Sequence, residues 1–370
     1  MKLRIFALAA LAFAMLACPI SASAGNEDFP DVKKVQIPEL SVSILDFGGI
    51  GDGASSNDGA FRDAVTFLRQ RGGGHLMIPS GIWICESIVL GSNIDLYLRE
   101  GASIVSGSDA AVVSAANVEN VSVSGSGTLE GCLSFKYCSK VCINGISIRE
   151  GKNSNVSAGI TLDCCKDVSV GSVTVDVSGD AFRFVSSDNN PDKRAKAMSR
   201  NIAVKGCKVF RSNAAFRIGK ETAGGIEYVS VSGCQVFDSS NGIVLGSLRN
   251  EGGSVRNICF DGINMKDIDA EAILFNLQAD EEDAAFGPSP AFKSIMFDNI
   301  VCDGASSAGI FRGLPEITID DVSVSNCTFT SEKGLDLSWC RDIRLMSVIC
   351  NVSQGEAVTT DYLQNYRSTK

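Results

Sequence analysis

Histidine is almost missing from this chain: His75 is the only one in 370 residues. That scarcity removes whole classes of site. Zinc centres built on imidazole, and hydrolytic Ser-His-Asp arrangements, both need histidine placed among other chemistry-bearing groups. His75, in "GGGHLMIP", has no such company and reads as structural. No CxxC pair matches another, so cysteine-ligated zinc is not expected either, and no cofactor is called for. Charge is also sparse, at 21% of residues, and its balance is acidic, with net charge −10 and pI near 4.8. An acidic surface repels phosphate, which sets aside nucleic acid and anionic membranes as partners. Beyond Leu16 no apolar run is long enough to cross a bilayer, so membrane insertion is not expected.

The first residues read as an export signal. Lys2 and Arg4 precede an apolar run from Ile5 to Leu16, and Ala22-Ser23-Ala24 supplies a small-x-small cleavage site. Cleavage after Ala24 would release a periplasmic or extracellular protein; Cys18 in "MLAC" offers a lipid anchor as the alternative. The remaining chain divides into an extension over residues 25–43, a main domain over 44–352 and a polar, loosely held tail over 353–370. Without Cys18, thirteen of the fourteen cysteines remain, an odd number for a disulfide framework. Cys207, Cys234 and Cys327 each follow the last apolar residue of a similar strand by three positions. That equal register predicts buried apolar thiols in a common interior.

What the chain has in abundance is self-similarity. Short alternating strands recur at Val121, Val141, Val168, Ile202, Val229, Ile258, Ile295, Val322 and Ile343, spaced by about 20 to 37 residues. Most are followed by a second apolar pair such as "CKVF", and several by a third short strand such as "AFRIG" or "GIVLG". Three short strands per unit, separated by Gly, Asn and Ser turns, describe one coil of a parallel β-helix, each coil bonding to those above and below. Propeller blades need four strands, and these units are too short. A bare first coil would expose its edges. "SSNDGAFRDAVTFLRQRGGG" supplies a helical cap: Asn57 or Asp58 starts it, Ala60, Phe61, Ala64, Val65 and Leu68 form one stripe, and Gly72 to Gly74 end it.

The stretches "ILDFGGIGDGASSNDGAFRDAV" and "GGGHLMIPSGIWICESIVLGSNIDLYLREGASIVSGSD", with "MKDIDAEAILFN" and "GLPEITIDDVSVSNCTF" later, resemble glycoside hydrolase family 28, the polygalacturonases. The likeness runs from Ile44 to Cys350. It implies an all-β fold, a single right-handed parallel β-helix, and inverting hydrolysis of α-1,4-galacturonan by a monomer. The family places its acid and base in "NxDG" and "GDD" motifs, and holds the substrate carboxylate with "GHG" and "RxK" motifs. This chain departs at each. Ala158 stands for the Asp of "NxDG", and Ser178-Gly179-Asp180 keeps only the second Asp of "GDD". Ser212 to Ala215 lacks the His, and Val244-Leu245-Gly246 lacks both cations.

What survives defines the candidates. Asp180 and Glu221 are the catalytic carboxylates, with Asp163, Asp176 and Asp188 as further partners for Asp180. Arg183, Arg217, Lys220 and Arg249 are the substrate-binding cations. Strand alternation sends Phe182, Phe184, Phe216 and Ile218 inward and both Arg183 and Arg217 outward on neighbouring coils, where they could grip a uronate. Lys193, Arg194 and Lys196 could fringe the same groove. Three functions stay open: a hydrolase of pectic or other acidic polysaccharide, a catalytically degenerate protein that binds such a glycan, and a structural or adhesive β-helix. A lyase using an Arg base and a metal is more remote, for lack of a calcium-ligand cluster.

Overall fold

In a computed structural model, the structure describes residues 29–108, 110–151, 157–188, 190, 197–249, 251–278 and 288–369. The export signal and the basic residues Lys193, Arg194 and Lys196 lie outside them. Among the described residues thirty-four strands pair in parallel, and no helix is long and apolar enough to cross a membrane.

The recurrent strands stack as their sequence pattern requires. Val121, Val141, Val168, Ile202, Val229, Ile258, Ile295, Val322 and Ile343 pair in that order, each directly over the last. A second face aligns Leu129, Ile148, Val175, Val209, Val236, Met265, Cys302, Phe329 and Cys350. The third strand of each coil builds the face that carries the candidate residues, aligning Phe135, Leu162, Phe184, Ile218 and Leu245. Coils stack because the backbone groups of one strand find their partners only on its neighbours. Between them the interior is dry: Phe182 lies on Phe216 at 5.3 Å between ring centroids, and Phe260 on Phe297 at 5.6 Å.

The corners between faces need left-handed backbone. The residue before each recurrent strand has φ between 50° and 61°, at Asn93, Asn120, Lys140, Asp167, Asn201, Tyr228 and onward. Asn and Asp tolerate this conformation best because their short polar side chains bond locally. Here they also bond from coil to coil: Asn120 Nδ2 donates to Asn93 Oδ1 at 3.0 Å, and Asn365 Nδ2 to Asp342 Oδ1 at 3.0 Å.

The cap is the expected helix, Asp58–Gln70, and it buries the five stripe residues. Its start is made differently from a simple cap. Asn57 makes no side-chain bond to the helix; its amide bonds to Ile50, Ser55 and Ile84, tying the preceding loop to the first coils. Gly72, Gly73 and Gly74 follow the helix with φ of 85°, 123° and 146°, and the Gly73 amide N–H donates to the Leu68 carbonyl.

Both ends hold more structure than their composition suggested. Ser41–Ser43 already pairs with the strand Gly74–Ile78. Upstream, Lys33 pairs with Asp167, the Asp31 carbonyl accepts from Asn201, and Phe29 meets Tyr228 edge-on at 5.9 Å. The extension therefore lies along one ladder of corner residues and straps several coils together. At the other end, Val358–Gln364 and Arg367–Thr369 pair with the strand Lys333–Met346. The side chains of that tail are mostly exposed, while its backbone gains the ladder hydrogen bonds.

Cys207, Cys234 and Cys327 are fully buried, as their register requires. Cys327 is separated from Cys234 in its interior column by Ile263 and Ile300. Burial pushes the Cys85, Cys259, Cys302, Cys327 and Cys340 thiols up to about 12, which keeps them as unreactive packing groups.

Candidate active site

Four successive strands form the floor of the site: Ala158–Asp163, Asp180–Val185, Ala214–Lys220 and Asn241–Ser247. Ala158 lies beside Asp180, the Asn213 amide donates to the Gly179 carbonyl at 2.9 Å, and Asn241 pairs with Ala214. The stretches that the resemblance sets against the four family motifs lie on adjoining coils. Phe182, Phe184, Phe216 and Ile218 are fully buried, and the row Thr161, Arg183, Arg217, Val244 faces outward.

Arg183 and Arg217 are in register, about 4.8 Å apart at their backbones. Two like charges at that spacing repel, and the side chains turn to opposite edges of the sheet. Arg217 turns back to Asp180, donating from Nε to Oδ2 at 2.6 Å. Asn213 Nδ2 donates to the other oxygen at 3.0 Å, so both Asp180 oxygens are engaged. The pair is well shielded, with side-chain exposures of 16% for Arg217 and 7% for Asp180. Arg183 turns the other way, to Glu221, with Nη2 at 3.3 and 3.4 Å from its two oxygens; its Nε is buried without a partner among the described residues.

Asp180 and Glu221 are thus not brought together. By the register of Phe182 with Phe216, Asp180 is level with Ala214, and Glu221 stands seven residues beyond Ala214, on the order of 20 Å along an extended strand. That span is longer than the roughly 6.5–9.5 Å of an inverting carboxylate pair. The other expected partners of Asp180 are committed elsewhere. Asp176 pairs with Arg211, Asp188 accepts from Tyr137 at 2.5 Å, and Asp163 binds Lys136 at 2.8 Å and the Ser187 hydroxyl at 2.6 Å. His75 bonds Asp95 at 2.9 Å, many coils away.

Burial alone would raise Asp163, but Lys136 and Ser187 outweigh it and hold the carboxyl below its ordinary value of 3.8. A carboxylate lowered in the folded state contributes stability above its unfolded pKa and loses it as pH falls through the folded one. The contribution should therefore be intact at neutral pH and disappear below about pH 4. Lys136→Met should remove the largest group that opposes burial, leaving Ser187, and move the acid-unfolding midpoint, followed by circular dichroism, to higher pH. An unchanged midpoint would contradict this reading.

Glu221 has a closer carboxylate neighbour that the sequence reading passed over. The turn after Ala214–Lys220 and the turn after Asn241–Ser247 are stacked: Thr222 Oγ1 lies 2.6 Å from Ser247 Oγ and donates to the Gly252 carbonyl at 2.8 Å. The two turns touch so closely that a Cβ on Gly253 would fall 1.9 Å from the Thr222 carbonyl oxygen. Glu251 sits on the second turn, and burial and the charge of Glu221 raise it above its ordinary value. Arg249, on the same turn, reaches Glu316 at 2.9 Å. Lys220 is exposed and has no ion-pair partner among the described residues. The one available signal for Glu251 was its place in "LRNEGG", next to Arg249.

Two depressions of the surface lie further along. One, of about 520 Å³, is lined by Ile310, Arg312, Lys333, Asp336 and Thr359 on the same face; another, of about 820 Å³, lies between Asp267, Ser306 and Glu332. Both are open hollows of the later coils with carboxylates of their own, Glu271, Asp336 and Glu356 in the first and Asp267, Asp269 and Glu332 in the second; the chemistry is sought at the Glu221 and Glu251 turns because there one carboxyl is raised by burial and by the charge of the other. No group of three metal-ligating side chains occurs among the described residues.

Comparison with known proteins fits this geometry. No family model matches the chain. A probable polygalacturonase from Vitis vinifera is 23% identical over 384 aligned positions, covering 83% of this chain and 78% of its own. The hyperthermoactive exopolygalacturonase of Thermotoga maritima superposes with a TM-score of 0.73 at 21% identity, over 87% of this chain and 94% of that one. The family 28 exopolygalacturonase of Yersinia enterocolitica gives 0.71 at 16% identity, over 89% and 78%. With the stacked coils, the helical cap and these likenesses together, the chain is a polygalacturonase-like, right-handed parallel β-helix.

Proposed function

We propose that this protein is an exported, monomeric glycoside hydrolase of the polygalacturonase-like kind, acting on pectic or other uronate-containing polysaccharide with an acid–base pair moved to Glu251 and Glu221. The observation that supports it is the stacking of two carboxylate-bearing turns in unlike surroundings: Glu251 is raised by burial and by Glu221, while Glu221 faces the Arg183 guanidinium. Carboxyls whose surroundings push them apart divide the acid and base roles between them. Glu251 protonates the leaving glycosidic oxygen, and Glu221 draws the proton from the attacking water, with inversion as the outcome. Arg183 positions Glu221. Lys220, exposed at the same edge, takes the uronate carboxylate, with Arg249 beside it. Asp180 acts through Arg217, holding it at the floor of the groove.

The test is reducing-end release from polygalacturonan, rhamnogalacturonan and neutral glycans by wild type and Glu221→Gln. Release from a uronate-containing glycan, lowered about 10²–10⁴-fold in the variant, is expected. A second reading, glycan binding without hydrolysis, is favoured by the internal pairing of Asp180, Arg183 and Arg217. It predicts retardation in affinity electrophoresis with no release. Neither release nor retardation would overturn both.

A further inference from the structure

Two pairs of cysteines stand directly over one another on neighbouring coils. Lys136 pairs with Asp163 and Ser139 with Lys166, which sets Cys138 opposite Cys165; the Lys166 amide donates to the Cys138 carbonyl at 2.9 Å. Lys205 pairs with Ser232 and Lys208 with Gln235, which sets Cys207 opposite Cys234; the Gln235 amide donates to the Cys207 carbonyl at 2.9 Å, and the Cys207 amide lies 3.4 Å from Cys234 Sγ. All four side chains point into the dry interior. In-register parallel neighbours have backbones about 4.8 Å apart. That falls within the roughly 4.4–6.8 Å between Cα atoms that a disulfide spans.

We propose that Cys138–Cys165 and Cys207–Cys234 are disulfide sites, closed during folding by a low-molecular-weight disulfide such as oxidised glutathione. One thiolate attacks a glutathione sulfur, forming a mixed disulfide and expelling one glutathione thiolate. The facing cysteine then attacks the protein-bound sulfur and expels the second. Each bridge passes two electrons to the glutathione disulfide, and the two thiol protons end on the two glutathione thiolates expelled. The exchange has to precede the stacking of the coils, because the finished interior admits no reagent to these sulfurs.

The remaining nine of the thirteen described cysteines have no such facing partner. Cys142 faces Ser122 and Ser169, Cys259 faces Ser230 and Met296, and Cys302 faces Met265 and Phe329. The pairing is therefore specific. A bridge between adjacent coils closes a loop of 27 residues in either case, which restrains the unfolded chain and should raise Tm.

The full chain is refolded in a glutathione redox buffer, denatured, alkylated without reduction and mapped by mass spectrometry. Linked peptides containing Cys138 with Cys165 and Cys207 with Cys234 are expected, with the other nine described cysteines alkylated, and a Tm lowered by reductant added before refolding. Cys207→Ser should lose only its own bridge and alkylate Cys234, whereas Cys142→Ser should change neither bridge. Alkylation of all thirteen in the oxidised sample, or bridges between other cysteines, would overturn the assignment.

Discussion

Asp180→Ala should lower the unfolding free energy by about 3–5 kcal/mol, read from chemical denaturation, because it leaves the Arg217 guanidinium without its buried partner. The argument rests on shielding rather than on the length of the contact. At 16% and 7% side-chain exposure, little solvent reaches either member of the pair to replace the other. Asn213 would also lose the oxygen to which its amide donates. The companion variant separates the cause from the effect. Asp180→Ala combined with Arg217→Met removes both charges, and should recover much of the loss. A double variant as unstable as the single one would mean that Asp180 matters for packing, and a stable Asp180→Ala would mean that the pair is hydrated.

The same substitution bears on function, because Asp180 is the one acid that the resemblance sets against the "GDD" motif. Its oxygens are already bound to Arg217 and Asn213. Such a carboxylate is suited to holding its neighbours. To serve as a proton donor in the groove it would first have to release one of them.

Much of the fold was legible because stacking leaves a mark that does not depend on spacing. Each coil must place a Val or Ile at the same point of its first strand, and a loop of any length may intervene. Val168 and Ile202 are 34 residues apart, Val322 and Ile343 only 21, yet all four lie in the same interior row. The cap helix was legible for a similar reason, since its five apolar residues fall on one side. Alternation alone put Arg183 and Arg217 on the outer face. The side-chain partners were not legible. Arg217 reaches Asp180 across 37 positions and Arg249 reaches Glu316 across 67, and nothing local in the sequence fixes which outward groups meet. Glu251 was hidden for the same reason: its relation to Glu221 comes from the stacking of two turns, held by Thr222 and Gly252. The tail misled by being polar, because backbone pairing with Lys333–Met346 asks nothing of its side chains.

The most direct test of the displaced site is the turnover of Glu251→Gln beside Asp180→Asn, on the uronate-containing glycan that wild type cleaves best, at a temperature where both are folded. Glutamine keeps the shape of Glu251 but cannot donate the proton, so release should fall about 10²–10⁴-fold. The wild-type rate should also decline as pH rises through the raised pKa of Glu251, and Glu251→Gln should lose that limb. Asp180→Asn should keep most of its turnover per folded molecule and the wild-type pH profile. A large loss in Asp180→Asn with little in Glu251→Gln would return the chemistry to the family's own position and contradict the account.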